Sequence, residues 1–174
     1  MIRLTTLILG SCANLGFSWR YLRRPYLHGF YRFFAFQSIL LLIFANWRRW
    51  FLNPFTKRQL LSWSLLSGSA LLAWHGFHLL SVAGKPQGAI ENTTRLVRTG
   101  VYRYIRHPLY ASLLLFGAGA FLKGMTVHTS LVLIGLLSAL YATARVEENE
   151  NMIQFGGEYA AYRESSKFFI PYLF

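Results

Sequence analysis

The side chains of this chain best suited to chemistry are concentrated in two short stretches. The first, Leu96 to Tyr110, carries Arg98, Arg103, Arg106 and His107 together with Tyr102, Tyr104 and Tyr110. The second, Arg145-Val146-Glu147-Glu148-Asn149-Glu150, supplies carboxylates. Charge at this density is costly within a bilayer, so both stretches belong at a membrane-water boundary. The apolar chain between them is long enough, at ~1.5 Å per residue, for two membrane-crossing helices. An out-and-back hairpin would bring the basic and acidic clusters to one face. Pro108 suits the first turn of a helix, which puts His107 at a helix start beside unpaired amides and a positive dipole end. That is a place for an anionic ligand group, and a carboxylate opposite it can take ribose hydroxyls or an ammonium group. The competing structural reading is that Arg106 pairs with Glu147 to tie two helix ends together, with the tyrosines as interfacial anchors.

Other chemistries find less support. The chain has no Asp, which removes Ser/His/Asp catalysis in its usual form. His75 and His78 share a helix face without a carboxylate or cysteine nearby and read as polar contacts within a bundle, and no metal site is expected. His28 and His128 are isolated. No glycine-rich phosphate loop occurs. Cys12, the single cysteine, excludes an internal disulfide. It is expected as a helix-buried thiol, although Leu9-Gly10-Ser11-Cys12 loosely resembles a bacterial lipidation box.

These residues need elements to position them, and the composition says of what kind. The chain of 174 residues is 54% hydrophobic and only 14% charged, which excludes an ordinary soluble domain and fits an integral membrane protein. Five apolar segments run from about Ile2 to Trp19, Phe30 to Trp47, Leu60 to Val82, Leu109 to Leu122 and Val127 to Ala144. A spanning helix needs about 20 apolar residues, so the fourth segment is short. The expected fold is an all-α integral membrane protein. It has about five transmembrane helices and a C-terminal interfacial cofactor-binding region. Residues 1–83 form the N-terminal transmembrane helices, and 84–174 the cofactor-binding region with its helical hairpin, in one structural domain overall. Ser67 to Ala70 and Gly117 to Ala120 permit close helix packing.

The net charge is +12. Because most arginines border apolar runs, the partners expected are anionic lipid headgroups rather than nucleic acid. Five passes with the C-terminus inside put the 85–106 connection on the cytoplasmic side, as the positive-inside rule favours. Arg48, Arg49, Lys57 and Arg58 then fall on the opposite face, so either that loop is interfacial or one early segment does not span. Phe155-Gly156-Gly157 reads as a turn, and Tyr159 and Tyr162 as one face of a short helix. The aromatic tail Phe168 to Phe174 is expected in the interface.

Gly100-x-Tyr102-x-x-x-Arg106-His107-Pro108-x-Tyr110, then Glu147-Glu148, then Phe155-Gly156-x-x-Tyr159-x-x-Tyr162, resembles the isoprenylcysteine carboxyl methyltransferase family, part of a wider membrane group that includes phospholipid N-methyltransferases. The resemblance covers about half the chain, from Gly84 onward. It implies a multi-pass membrane enzyme that uses S-adenosylmethionine and a lipophilic methyl acceptor. Carried over by position, Thr94, Arg95, Leu96, Val97, Tyr102, His107, Pro108, Leu109 and Tyr110 would line the cofactor. Glu147 would be its acidic contact and Gln87 a further one. Glu148 and Arg145 are the candidates for a catalytic role. The sequence departs from the family at Thr143, where an arginine linked to the substrate carboxylate is expected, and at Asn151, where an apolar residue is usual. A sterol-reductase-like enzyme using NADPH, which usually carries Asn where this chain has Leu109, and a non-enzymatic membrane scaffold are the competing readings.

Overall fold

The computed structural model describes residues 2–87 and 93–172. Six helices follow in order: α1 (Ile2–Leu22), α2 (His28–Ala45), α3 (Lys57–Ala83), α4 (Pro108–Leu122), α5 (Val127–Phe155) and α6 (Gly157–Ser165). Single 3-10 turns occupy Trp47–Arg49 and Gly100–Arg103. Helix accounts for 76% of the described residues and no strand occurs among them, so the fold is all-α. Each expected apolar segment is a helix; the first four end near the charged, Pro or Gly residues that bound them in the sequence, whereas α5 runs on past Arg145 to Phe155.

Not all of these helices qualify as membrane spans. Among the described residues, α2, α3 and α5 are the helices long and apolar enough to cross a membrane. α4 has 15 residues, about 22 Å of helix against a hydrocarbon core of about 30 Å. α1 has the length, but Thr5, Thr6, Ser11, Asn14, Ser18 and Arg20 dilute its apolar character. Five spans are therefore not established. α5, with 29 residues, is longer than a bilayer core requires. Its apolar stretch ends at Ala144, leaving the Arg145 to Glu150 cluster on a polar extension.

The chain divides into two compact units, residues 1–67 with 114–147 and residues 68–113 with 148–174. In the first, α1 and α2 are joined by polar side chains: Asn14 Nδ2 donates to the Phe33 carbonyl (3.1 Å) and Gln37 Nε2 to Ser11 Oγ (2.9 Å). In apolar surroundings such bonds hold helices together where hydrophobic drive is weak. The small residues act as expected. Ser62 Oγ donates to the Gly119 carbonyl at 2.7 Å, and a side chain at Gly117 or Gly119 would press into Leu136 or Leu66. Lys123 is fully buried, with Nζ donating to Gln59 Oε1 (2.8 Å) and lying 3.6 Å from the centre of the Trp63 ring. Cys12 corrects an expectation: its thiol is exposed on α1. Lipid and protein interior present the same apolar surroundings to a thiol, so residue type alone does not say which of them it meets.

In the second unit, Ser69 Oγ donates to the Ser112 carbonyl (2.7 Å), which closes the 68–83 part of α3 onto α4. Leu109 and Pro108 fill the space beside Gly76. Gly100 has φ +58°, and a Cβ there would stand 2.6 Å from Leu79 Cδ1 and 2.9 Å from His75 Nε2. Gly100→Ala is therefore expected to destabilise the protein by about 1–3 kcal/mol, from left-handed backbone strain and the clash together. A thermal melt in detergent measures this.

Candidate functional site

The Arg106-His107-Pro108 element lies in the second unit, where polar backbone must be satisfied in largely buried surroundings. The C-terminal segment satisfies it. Arg106 N–H donates to the Lys167 carbonyl (2.8 Å), His107 N–H to the Phe168 carbonyl (3.3 Å), and Lys167 N–H to the Tyr104 carbonyl (2.9 Å). Ile105 and Lys167 thus form a parallel bridge. Pro108 opens α4 as its spacing predicts, because a first-turn residue needs no amide hydrogen.

The side chains then meet around one carboxylate. Glu148, 2% exposed, accepts from Arg106 Nε at 2.6 Å, and the same oxygen lies 3.7 Å from His107 Nε2. Its other oxygen faces Arg163 Nε at 3.9 Å. Arg106 Nη1 also donates to the carbonyls of Ser166 and Arg163. Arg106 therefore pairs with Glu148 and not Glu147. On a helix, adjacent residues point about 100° apart, so only one of the pair can turn toward the arginine. The guanidinium also lies 5.6 Å from the centre of the Phe168 ring.

His107, 3% exposed, is enclosed by aromatic rings. Tyr110 stacks on it with centroids 5.6 Å apart and planes at 17°. Phe168 and Phe169 present edges at 5.0 and 6.1 Å. The tail was expected in the interface as a whole, yet Phe168 and Phe169 are buried while Ile170 and Tyr172 are exposed. Leu173 and Phe174 lie outside the described residues. Sequence reasoning missed the roles of Phe168, Phe169 and Ser166. The signal for them was the unpaired backbone of residues 104–107, which demanded a partner strand.

Beneath this cluster, Tyr159 and Tyr162 share the buried face of α6, as their spacing predicts, with centroids 5.9 Å apart. Tyr162 Oη donates to the Tyr102 carbonyl at 2.6 Å. Burial pushes the Tyr162 phenol well above its usual pKa, so it stays protonated and able to donate. Gly156, φ +53°, makes the turn from α5 into α6, and Arg98 pairs with Glu158 at the surface.

The remaining expected site residues sit as follows. Tyr102 and Val97 are buried; Leu96, Leu109 and Tyr110 are half-buried; Gln87, Thr94 and Arg95 are exposed. Thr94 Oγ1 donates to the Lys85 carbonyl (2.9 Å), and the amides of Thr94 and Arg95 both donate to the Gly84 carbonyl (2.9 and 3.2 Å). This segment is therefore held at the C-terminal end of α3, and Gln154 Nε2 reaches the Thr93 carbonyl from α5 (2.8 Å). Arg106, His107, Tyr110 and Glu148 are gathered into one cluster. Half-buried Glu147 and exposed Arg145 belong to the first compact unit, as does Thr143, whose hydroxyl donates to the Ala139 carbonyl of its own helix (2.7 Å).

Residues 66–154 match the family model for the isoprenylcysteine carboxyl methyltransferase (ICMT) family, a span of just over half the chain. It takes in the Arg106-His107-Pro108 element and the Glu147-Glu148 pair and stops short of α6. A search of curated proteins found no match.

Proposed function

Since this chain belongs to the isoprenylcysteine carboxyl methyltransferase family, we propose that it is a membrane enzyme that moves a methyl group from S-adenosylmethionine to a lipophilic acceptor. The observation that carries this reading is the buried Arg106–Glu148 pair, cross-braced by Ser166 and the 167–168 backbone, which fixes His107 at the start of α4. A brace of this kind keeps a ligand-binding group in one orientation before the ligand arrives.

The residues present fit the donor. Its carboxylate needs hydrogen-bond donors, which the imidazole of His107 and the first-turn amides of α4 offer. Its cationic sulfur suits an aromatic face, and Tyr110 beside His107 is the ring assigned to it. Tyr102 and residues 94–97 are assigned to the nucleoside part, and Glu147 to its hydroxyl or ammonium groups. When bound, S-adenosylmethionine supplies an electrophilic methyl group, so the protein's task is to position the acceptor and exclude water. The aromatic enclosure of His107 does the second. Glu148, already engaged by Arg106, acts as a positioning residue. A carboxylate or thiolate acceptor requires no base. Thr143 in place of the family's arginine disfavours an acceptor read through its own carboxylate at that position.

The test is transfer of labelled methyl from S-adenosylmethionine into an organic-extractable product by the purified chain in detergent with membrane lipid and prenylcysteine acceptors. Labelled product is expected, with Glu147→Gln lowering donor affinity at least tenfold while the helical content stays that of the wild type. Absence of labelled product with every acceptor, together with saturable NADPH binding, would instead support the reductase reading.

A further inference from the structure

Within the first compact unit, the connection from α2 to α3 and that from α4 to α5 meet around a pocket of about 360 Å³ lined by Ala45, Asn46, Arg48, Arg49, Thr126, His128 and Thr129. No part of the methyltransferase reading uses it. We propose that this pocket binds a phosphate group, that of a membrane phospholipid headgroup.

The charge at this pocket is unbalanced. Arg48 and Arg49 are exposed, and neither has an ion-pair partner among the described residues. None could come from this stretch of sequence, because the chain has no Asp and its first Glu is Glu91. Two adjacent guanidiniums without a carboxylate call for an anion from outside, and Arg is well matched to phosphate oxygens.

The pocket is also built rather than incidental. Asn46 is 1% exposed; its Nδ2 donates to the Ala120 carbonyl (3.0 Å), while its Oδ1 is buried without a hydrogen-bond partner. That oxygen suits a donor hydroxyl of a glycerol-type headgroup beside the phosphate. Gln59 Nε2 holds the Arg49 and Leu52 carbonyls (2.9 and 3.0 Å), and Lys123 holds Gln59 in turn. The arginine turn is thus fixed in place before any ligand arrives. Gly124 keeps the space open, since a side chain there would collide with Asn46 and Arg49. The end of α5 is not the attraction: Thr126 and Thr129 cap each other's amides (2.9 and 3.2 Å).

The surroundings select a lipid over a free ion. Trp47, Phe51 and Phe55 are 42%, 76% and 88% exposed beside the arginines. Exposed aromatics next to cations are the composition of a membrane interface. The cavity falls within the volume range of small-ligand pockets, which begins at about 300 Å³, and leaves room beyond a phosphate for a headgroup substituent. The reading also makes the 46–56 loop interfacial.

The full chain in a neutral detergent is titrated with dihexanoyl phosphatidylglycerol and, separately, with inorganic phosphate, with binding read by native mass spectrometry and thermal shift. Saturable lipid binding is expected, at least tenfold weaker in Arg48→Gln/Arg49→Gln and within twofold of wild type in Lys57→Gln/Arg58→Gln. Lipid binding without phosphate binding identifies the headgroup as the source. Equal binding of phosphate supports the anion site and overturns its assignment to lipid. No saturable binding of either probe, or equal loss in the Lys57/Arg58 control, overturns the site itself. If the double variant loses its cooperative melt, Arg48→Gln and His128→Ala carry the test singly, each expected to weaken binding about threefold; no change in either refutes it.

Discussion

Glu148→Ala is expected to lower stability by about 3–5 kcal/mol, the usual consequence of leaving one member of a buried ion pair without its partner. Arg106 would keep its carbonyl contacts to Ser166 and Arg163 but lose the carboxylate at 2.6 Å. Glu148→Gln, which keeps an acceptor oxygen, should cost about 1–3 kcal/mol. Arg106→Met with Glu148→Met should fall well short of the sum of the single losses, since no charge then remains buried. Unfolding in one detergent, followed by far-UV circular dichroism across this cycle, gives the coupling. A cycle that sums without coupling would show that the pair does not brace the element.

His107→Ala should reduce affinity for S-adenosylhomocysteine at least tenfold while the protein stays folded. The imidazole is wedged among Tyr110, Phe168 and Phe169, so truncation also leaves a cavity worth about 2–4 kcal/mol by analogy with other large-to-small changes. Binding is therefore measured at a temperature where circular dichroism shows wild-type helix content. Because Phe168→Ala removes ring packing while leaving the imidazole, it should lower the melting temperature comparably with a smaller loss of affinity. Equal losses of affinity in the two variants would reduce His107 to a packing residue.

Much of this organisation was legible in the sequence because each level of the signal agreed with the next. Apolar runs ended by arginine, Pro or Gly gave four helices close to their observed limits, while α5 continues eleven residues beyond Ala144 because its polar cluster stays helical. Pro108 marked the start of α4, Gly156 the turn into α6, and the small residues around Gly119 and Ser69 the places where helices close on one another. What escaped was rotation and return. Nothing in Glu147-Glu148 states which carboxylate faces Arg106, because both neighbours are polar and the helix phase is set by packing. Cys12 escaped for a related reason, since lipid and protein interior present the same apolar surroundings. The tail escaped because seven residues rich in aromatics suit an interface as well as a core. Only the backbone demand of residues 104–107 distinguishes the two.

Methyl transfer by this chain requires first that it hold the methyl donor's nucleoside. Isothermal titration of S-adenosylhomocysteine into the purified wild-type chain in detergent tests that directly, with NADPH titrated in parallel. One saturable site for S-adenosylhomocysteine, none for NADPH, and loss of that site in His107→Ala are the expected results. A flat S-adenosylhomocysteine titration with a chain that melts cooperatively, or an isotherm that His107→Ala leaves unchanged, would contradict it.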